Sequence, residues 1–319
     1  TSADGMVEPA VALDAALLHA EVVGPTAIAV GETPKASYCN WRRSLVQRTG
    51  QYAVIVDDLT FRMDSENMSV ATTWQMPGGR WDGKEHALCS SAAELRSCDL
   101  QLTDGRGVIT MKWRGPVKKG GRRNAFYTII QSSSGAPDAL ACVRAADNAA
   151  AFTLPQAALA VTGKFGQTEA GVAILAEDHC CGHALTQAGF DAPLVWSSSP
   201  VDIDWDFQTG VLHVVTGQPA TLHLSVRDPS KLRLDSEAAG ELQLSEGRHV
   251  ITEAFPISDQ LAALTAALRK TLADGRKERA NRLAETQPDA GLPVNEAPVA
   301  FSYDLGNKLA DLTRLGSAN

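Results

Sequence analysis

The sequence lacks an apolar run of the roughly 18 residues that a membrane-spanning helix requires. Residues 1–9 also lack the basic and apolar regions of a signal peptide. No long basic stripe occurs, and 37 acidic residues against 29 basic ones give a formal net charge of −8. The lack of a long apolar run excludes a membrane-spanning helix. The lack of a basic stripe excludes nucleic acid as a main partner, because binding a phosphate backbone requires a positively charged surface.

Catalytic sequence motifs are absent as well. The chain contains no G-x-S-x-G, no Walker loop, no H-E-x-x-H and no dinucleotide-binding fingerprint. The sequence therefore assigns no catalytic residue.

The six cysteines permit disulfides, but a chain of 319 residues does not require them for stability. Cys89 and Cys98 flank a short polar segment that a disulfide would close, and this pairing stays open. Cys39 and Cys142 lie in strand-like runs, where a free thiol packs as a small apolar group.

Short apolar runs dominate the first part of the chain, and Gly, Pro, Ser and Asn separate them. Such spacing without helical periodicity is typical of an all-β fold. We expect a two-layer β-sandwich over residues 1–196. Its predicted strands include 54–59, 68–76, 108–113, 125–130, 139–143 and 171–175.

The most informative segment runs from Tyr38 to Trp74. An arginine-bearing strand precedes Thr49–Gly50, and the strand Tyr-Ala-Val-Ile-Val-Asp-Asp follows it. Glycine permits the backbone reversal that a hairpin needs, so the segment predicts two antiparallel strands joined at Thr49–Gly50. Both alternate sets of the second strand are apolar, which indicates a strand covered on both faces.

This pattern of Trp/Arg strand, Gly-Gln-Tyr turn, Val-Ile-Val-Asp-Asp strand and later Trp resembles the C-terminal β-sandwich of heparinase II/III-like polysaccharide lyases. The resemblance covers roughly the first two-thirds of the chain and implies a supersandwich-like fold. In that family most catalytic residues lie on an N-terminal helical toroid. No segment before residue 258 has the helical periodicity of a toroid.

The resemblance implies an accessory, non-catalytic sandwich of a polysaccharide-degrading system. Two alternatives stay open: a structural or assembly module of a larger protein, and a subunit of a uronate lyase that acts by β-elimination with its toroid elsewhere. The expected partners are other domains or subunits and an acidic polysaccharide. The expected location is extracellular or periplasmic.

Residues 200–256 predict a smaller antiparallel β unit, either an appended sheet or the closing strands of the sandwich. Asp202, Asp204 and Asp206 alternate with apolar residues there, which predicts a strand with one solvated face. A calcium loop is disfavoured because Ile203 and Trp205 stand where a tight turn needs small polar residues. The basic side chains expected to offset the aspartates are Arg227, Lys231 and Arg233.

Helical periodicity begins at Ser258. Leu261, Leu264 and Leu268 recur at helical spacing after the Ser258–Asp259 cap, and they predict one amphipathic helix over 258–284. Residues 286–319 are interpreted as a linker and the opening of a further element. Since the chain begins without Met, we expect it to be a processed product or an excerpt.

The densest set of possible metal ligands is His179, Cys181 and His183, with Cys180 between them. Zn²⁺ takes such nitrogen and sulfur donors, and the resembled family often holds a metal ion in its sandwich. On an extended strand, however, positions 179 and 183 lie ~13 Å apart, so the site needs a turn. An ordinary turn is the favoured interpretation, and a zinc site, with Asp178 or His86 as a further ligand, is the alternative. No other cofactor is expected.

Aromatic and arginine side chains supply candidate glycan contacts. Flat indole faces suit pyranose rings, and guanidinium groups bind carboxylates in a bidentate manner. Trp81 with Arg80, in a polar Gly-rich loop, and Trp41 with Arg43 are the candidates; a core position is the favoured interpretation for each aromatic taken singly, and Trp81 is the best surface candidate. Lyase sandwiches contribute a histidine to the catalytic cleft, for which His86 and His183 are available, although neither matches a catalytic motif.

Overall fold

The computed structural model describes residues 2–3, 6–7, 15–76, 87–89, 98–103, 106–131, 143–146, 148–153, 157–239 and 241–285. These residues form large antiparallel sheets followed by one helix, α1 (Ser258–Glu285), which confirms the predicted all-β class with a terminal helix. The strands in chain order are β1 (Ser2–Ala3), β2 (Met6–Val7), β3 (Ala16–Val23), β4 (Thr26–Ala36), β5 (Cys39–Arg48), β6 (Tyr52–Phe61), β7 (Ser65–Met76), β8 (Ala87–Cys89), β9 (Cys98–Thr103), β10 (Arg106–Val117), β11 (Arg122–Gln131), β12 (Val143–Ala146), β13 (Ala149–Thr153), β14 (Ala157–Phe165), β15 (Thr168–Ala176), β16 (His179–Gly189), β17 (Pro193–Asp206), β18 (Val211–Thr216), β19 (Ala220–Leu224), β20 (Arg233–Leu234), β21 (Glu237–Ala238), β22 (Leu242–Leu244) and β23 (Gly247–Thr252).

Three sheets are present among these residues. The small sheet has the order β2-β1-β7-β10-β9, and the middle sheet has the order β3-β4-β5-β6-β11-β8. The large sheet has twelve strands, ten of them in the order β12-β13-β14-β15-β16-β17-β18-β23-β20-β21, while β19 pairs with β17 and with β22.

The predicted hairpin is the β5–β6 pair of the middle sheet. Arg48 lies opposite Tyr52, and the Gln51 amide donates to the Arg48 carbonyl at 3.1 Å. Gly50 has φ 73°, the left-handed conformation that favours glycine at this reversal. The turn prediction at Thr49–Gly50 is confirmed.

Successive side chains of β6 point to opposite faces of the middle sheet and show which sheet covers each face. Val54 and Val56 face the large sheet and pack with Ile174, whereas Leu59, on the opposite face, packs with Met68 of the small sheet. The middle sheet is therefore covered on both faces at this strand, as its two apolar sets predict.

The predicted boundary between residues 196 and 200 is wrong. Strand β17 runs through it without interruption and pairs with β16 before it and β18 after it. Backbone hydrogen bonds continue across the boundary, so residues 200–256 extend the large sheet and do not form a separate unit.

Helix α1 covers the face of the large sheet that points away from the middle sheet. Leu264, Leu268 and Leu272 are buried in that core, and Leu261 packs against it partly buried. Arg269 donates two hydrogen bonds to Glu177, at 2.9 and 2.7 Å, which attaches the helix to the bend before β16. The helix prediction and its buried face are confirmed.

Candidate metal centre and polar seam

Strands β16 and β17 place polar side chains on one face, between the two larger sheets. His179 lies opposite Asp206, and Cys181 lies opposite Asp204. The alternate residues Cys180, Ile203 and Trp205 point the other way, into the core beneath α1. We call the polar set and its contacts across the interface the polar seam; it comprises His19, Thr26, Arg48, Tyr52, Asp178, His179, Cys181, His183, Asp202, Asp204 and Asp206.

The predicted solvated face for the aspartates is therefore wrong. Asp202 and Asp204 are buried, and Asp206 is half-buried. Alternation identifies which residues share a face, but the middle sheet covers that face and removes it from water. The basic group that meets Asp204 and Asp206 is Arg48 of β5.

At one end of the seam Asp202 lies between two imidazoles. His19 Nε2 is 2.6 Å from Asp202 Oδ2, and His183 Nδ1 is 2.9 Å from Asp202 Oδ1. The ring centroids of the two histidines are 4.2 Å apart. The side chain of His19 is 31% exposed and that of His183 is 20% exposed, while Asp202 is 7% exposed, so solvent reaches the cluster from the histidine side.

These three side chains meet the donor requirements of a metal site. One ligand atom from each lies within 4.8 Å of the others, and among the described residues this is the group of three donors with that property. Two imidazole nitrogens and one carboxylate oxygen form a zinc donor set that leaves a further coordination position open. The residues present thus fit a zinc ion.

The local backbone orients the cluster. Ala184 has φ 49°, and its amide donates to Asp202 Oδ1 at 3.0 Å. This left-handed residue interrupts the pairing of β16 with β17, since the register shifts between Gly182 and Leu185. A Cβ at Gly171 would lie 3.1 Å from His183 Cδ2, so glycine there leaves room for the imidazole.

Asp202 is held ionised. Burial by itself raises the pKa of a carboxyl group, but hydrogen bonds from His183 and the Ala184 amide, together with the two imidazoles, lower the pKa of Asp202 below its usual value. An anionic oxygen is the form that coordinates a cation.

In the middle of the seam Arg48 joins the two sheets. Its Nε is 3.3 Å from Asp204 Oδ2, and its Nη2 is 3.3 Å from Asp206 Oδ2. The hydroxyl of Thr26 donates to Asp204 Oδ2. Burial raises the pKa of Asp204, and its hydrogen bond from Thr26 and the charge of Arg48 offset only part of that effect.

At the far end Tyr52, His179 and Asp178 form a chain of hydrogen bonds. The Tyr52 hydroxyl is 2.6 Å from His179 Nε2, and His179 Nδ1 is 2.6 Å from Asp178 Oδ1. The carboxylate accepts from Nδ1–H, so in neutral His179 Nε2 accepts from the Tyr52 hydroxyl. Burial raises the pKa of Tyr52, in agreement with a phenol that keeps its proton.

Tyrosine and histidine side chains can act as general acids and bases, but this pair is closed to substrate. Tyr52 is buried, and His179 is fully buried. A general base must come within hydrogen-bond reach of the proton that it removes. The chain of hydrogen bonds therefore joins the sheets and offers no catalytic surface.

The three thiols with described side chains, Cys39, Cys180 and Cys181, favour the protonated form. Burial raises the pKa of Cys181 to about 12 and raises that of Cys180 well above its usual value. Cys39 is also free and buried, and burial raises its pKa to about 11. A thiolate is the form that attacks substrates or binds zinc, so none of the three thiols is prepared for either role.

The metal set predicted from the sequence is not brought together. His179 and Cys181 contact Tyr52, whereas His183 joins His19 and Asp202. The favoured interpretation, an ordinary turn, is also wrong, because residues 179–189 form strand β16, and an extended chain separates positions 179 and 183. His19 lies 183 positions from Asp202 in the sequence, and no local pattern could reveal that contact.

The glycan candidates divide between described and undescribed residues. Trp81 and Arg80 lie outside the described residues, as does His86. Arg43 binds both oxygens of Asp57, at 2.6 and 2.9 Å, and its guanidinium lies 5.7 Å from the ring centre of Trp41. Trp41 Nε1 also donates to Asp57 at 2.8 Å. Asp57 thus takes the bidentate position that a uronate carboxylate would need on Arg43.

Comparison with known proteins adds no family: no protein-family model matches the chain, and no curated protein matches it significantly. Among the described residues no helix combines the length and the apolar character needed to cross a membrane.

Proposed function

We propose that this chain is a non-catalytic, accessory β-sandwich of a polysaccharide-degrading system, and that a zinc ion at His19, His183 and Asp202 joins its two larger sheets. The zinc part of the proposal rests on one observation: the three ligands come from both of the larger sheets. His19 belongs to edge strand β3 of the middle sheet, whereas His183 and Asp202 belong to the large sheet. The polysaccharide part rests on the sequence resemblance to heparinase II/III-like lyases.

The role proposed for the ion is to link the two sheets, with water in the coordination position that the three side chains leave open. When bound, zinc would join the two sheets by metal coordination. This link would be stronger than the hydrogen bonds to the Asp202 carboxylate alone. The protein's own contribution is to hold Asp202 ionised and oriented through the Ala184 amide. Ligand deprotonation couples such a site to pH, so acid should release the ion.

Metal binding is tested directly. Protein purified without chelator is analysed for bound metals, and the metal-depleted protein is titrated with ZnCl₂ by calorimetry while its thermal unfolding is followed. We expect about one equivalent of zinc and a higher melting temperature with the ion. His183→Ala and His19→Ala should abolish both effects, and His223→Ala, which removes an exposed histidine elsewhere on the large sheet, should retain them.

Zinc below about one-tenth equivalent, with no heat of binding, would remove the metal from the proposal. The non-catalytic part has its own assay. Formation of an unsaturated product from uronate polysaccharides by the purified chain would replace the accessory function with that of a lyase.

An assembly module is the second candidate, and the exposed edge of the middle sheet favours it. Within the part of the chain that the structure describes, strand β3 is an edge strand with three exposed apolar side chains, Leu17, Leu18 and Val22. Such an edge offers backbone groups to another strand. If the edge mediates assembly, Leu18→Lys will convert an associated species into a monomer in analytical ultracentrifugation. A wild-type monomer at all concentrations would count against this function.

A further inference from the structure

One exposed indole lies on the large sheet, away from the polar seam. Trp196 of β17 is 41% exposed, while its neighbours Val195 and Ser197 are buried to 1% and 2%. The backbone of Trp196 is thus fixed by buried residues on both sides. A large aromatic side chain on a fixed backbone offers a contact surface for a ligand.

A row of side chains crosses five strands through this tryptophan. Trp196 lies opposite Gln187 on β16 and opposite His223 on β19. Gln187 lies opposite Glu169 on β15, which in turn lies opposite Lys164 on β14. Directly paired residues point to the same face, so these five side chains form one line. We call this line, with the neighbouring row of Ser198, Thr221 and Gln243, the Trp196 platform.

Hydrogen bonds orient the polar members of the platform. The Thr221 amide donates to the Ser198 hydroxyl at 2.9 Å, and the Thr221 hydroxyl donates to Gln243 Oε1 at 2.9 Å. Gln187 Nε2 donates to Gln167 Oε1 at 3.0 Å. The His223 ring lies beside the indole, with the ring centres 5.1 Å apart at an angle of 43°.

From these contacts we infer that the Trp196 platform binds a neutral oligosaccharide. A pyranose ring has an apolar C–H face that suits an indole, and its hydroxyl groups pair with amide and hydroxyl side chains. Neighbouring strands lie ~4.8 Å apart, so the row of five residues extends over ~19 Å, enough for several sugar units. The inference extends the proposed function by naming a surface and a glycan class, and it rests on that function in supposing that the chain meets glycans.

The charges of the row give no net attraction for acidic glycans. Lys164 and Glu169 lie opposite each other and cancel, and the row contributes no other charge of fixed sign. A uronate or sulfate would therefore gain no net attraction from the row. The apolar surface of the row is that of Trp196, which is too small for the apolar centre of a protein interface.

The test is affinity gel electrophoresis of the whole chain in gels that contain one soluble polysaccharide each. The neutral probes are hydroxyethylcellulose, mixed-linkage β-glucan and galactomannan; the acidic probes are alginate and polygalacturonate. We expect at least one neutral probe to retard the wild type and the acidic probes to leave it unretarded. Trp196→Ala should weaken the retarding interaction roughly tenfold, with a smaller loss for His223→Ala.

Ile257→Ala is the matched control because Ile257 is an exposed apolar residue outside the platform; it should migrate as the wild type does. Each variant is first checked for an unchanged melting temperature. The inference is overturned if no neutral probe retards the wild type, if only acidic probes do, or if both Trp196→Ala and His223→Ala bind as the wild type does.

The two proposals fail separately. His183→Ala should lose zinc and keep the neutral-glycan retardation, since His183 is not part of the platform. Zinc binding without any retardation overturns the platform and leaves the metal-stabilised sandwich standing. Retardation that depends on Trp196 in a protein that binds no zinc supports the platform and removes the ion from the proposed function.

Discussion

Arg48 of the middle sheet and Asp204 of the large sheet form an ion pair across the interface, with Arg48 Nε 3.3 Å from Asp204 Oδ2. Both side chains are withdrawn from water, at 4% and 1% exposure. Two buried charges depend on each other, because neither has water to replace its partner. The pair therefore fixes how β5 and β17 face each other.

Removing the cation should be costly. Arg48→Met leaves Asp204 buried without its cation, and we expect the free energy of unfolding to fall by about 3–5 kcal/mol in urea titrations. Arg42→Met, which breaks the exposed pair with Glu32, should cost less than about 1 kcal/mol. The double variant Arg48→Met, Asp204→Leu should recover part of the loss. Equal losses for the Arg48 and Arg42 variants would contradict this account.

The turn between β3 and β4 should tolerate no side chain at Gly24. This residue has φ 55°, and a Cβ there would overlap the imidazole ring of His213. Gly50 has φ 73° but no atom within 4 Å of its Cβ position, so it is the matched control. In both alanine variants the left-handed backbone should lower the free energy of unfolding by about 1 kcal/mol. Gly24→Ala should lower it by about 1–3 kcal/mol more because of the contact with His213. Thermal or urea unfolding measures the difference, and equal losses would mean that His213 moves aside.

Helix α1 should be required for full stability. Leu264 is buried against the large sheet, so Leu264→Asp loses its apolar burial and places a carboxylate in the core. We expect the free energy of unfolding to fall by at least about 3 kcal/mol. Ala263→Asp changes the neighbouring exposed position and should have little effect. An unchanged melt of the Leu264 variant would show that the helix does not contribute to the core.

A pH dependence should arise from His249 and Asp235. His249 Nδ1 is 2.8 Å from Asp235 Oδ2, and its Nε2 is 2.9 Å from the Ser245 carbonyl oxygen, so both ring nitrogens face acceptors. Burial by itself lowers the pKa of His249, but these hydrogen bonds outweigh it and raise the pKa above the usual value. The imidazolium is thus favoured in the folded state. Its stabilisation is full below about pH 6.5 and is lost as the pH rises through the higher folded pKa.

Asp235 sets the acid limit of the same pair. Hydrogen bonds from the Val250 amide and His249 lower the pKa of Asp235, so its contribution is present above the unfolded value and is lost as the pH falls through the folded one. Melting temperatures at about pH 5.5 and about pH 8.5 test the contribution of His249, and a further measurement at about pH 3 tests that of Asp235. His249→Gln should reduce the difference between them, and His223→Gln should keep it. If His249→Gln keeps the wild-type difference in melting temperature, the pH dependence arises from another group.

Local patterns were sufficient for the hairpin and the helix. Gly50 permits the reversal between two strands that pair with each other, and both strands are adjacent in the chain. Leu264 and Leu268 share one helical face by their spacing alone, so the buried side of α1 follows from the sequence. These elements depend on contacts between residues that are close in the chain.

The polar seam required the tertiary structure. Alternation correctly places Asp202 and Asp204 on one face of a strand, but it does not determine whether water or another sheet covers that face. His19 and Arg48 reach these aspartates over sequence separations of 183 and 156 residues. The sequence by itself determined the β class, the hairpin and the helix, because periodicity and turn chemistry are local. Only the packing of the middle sheet on the large sheet decided which polar residues are buried, which of them meet, and that His183 lies with His19 and Asp202 rather than with His179.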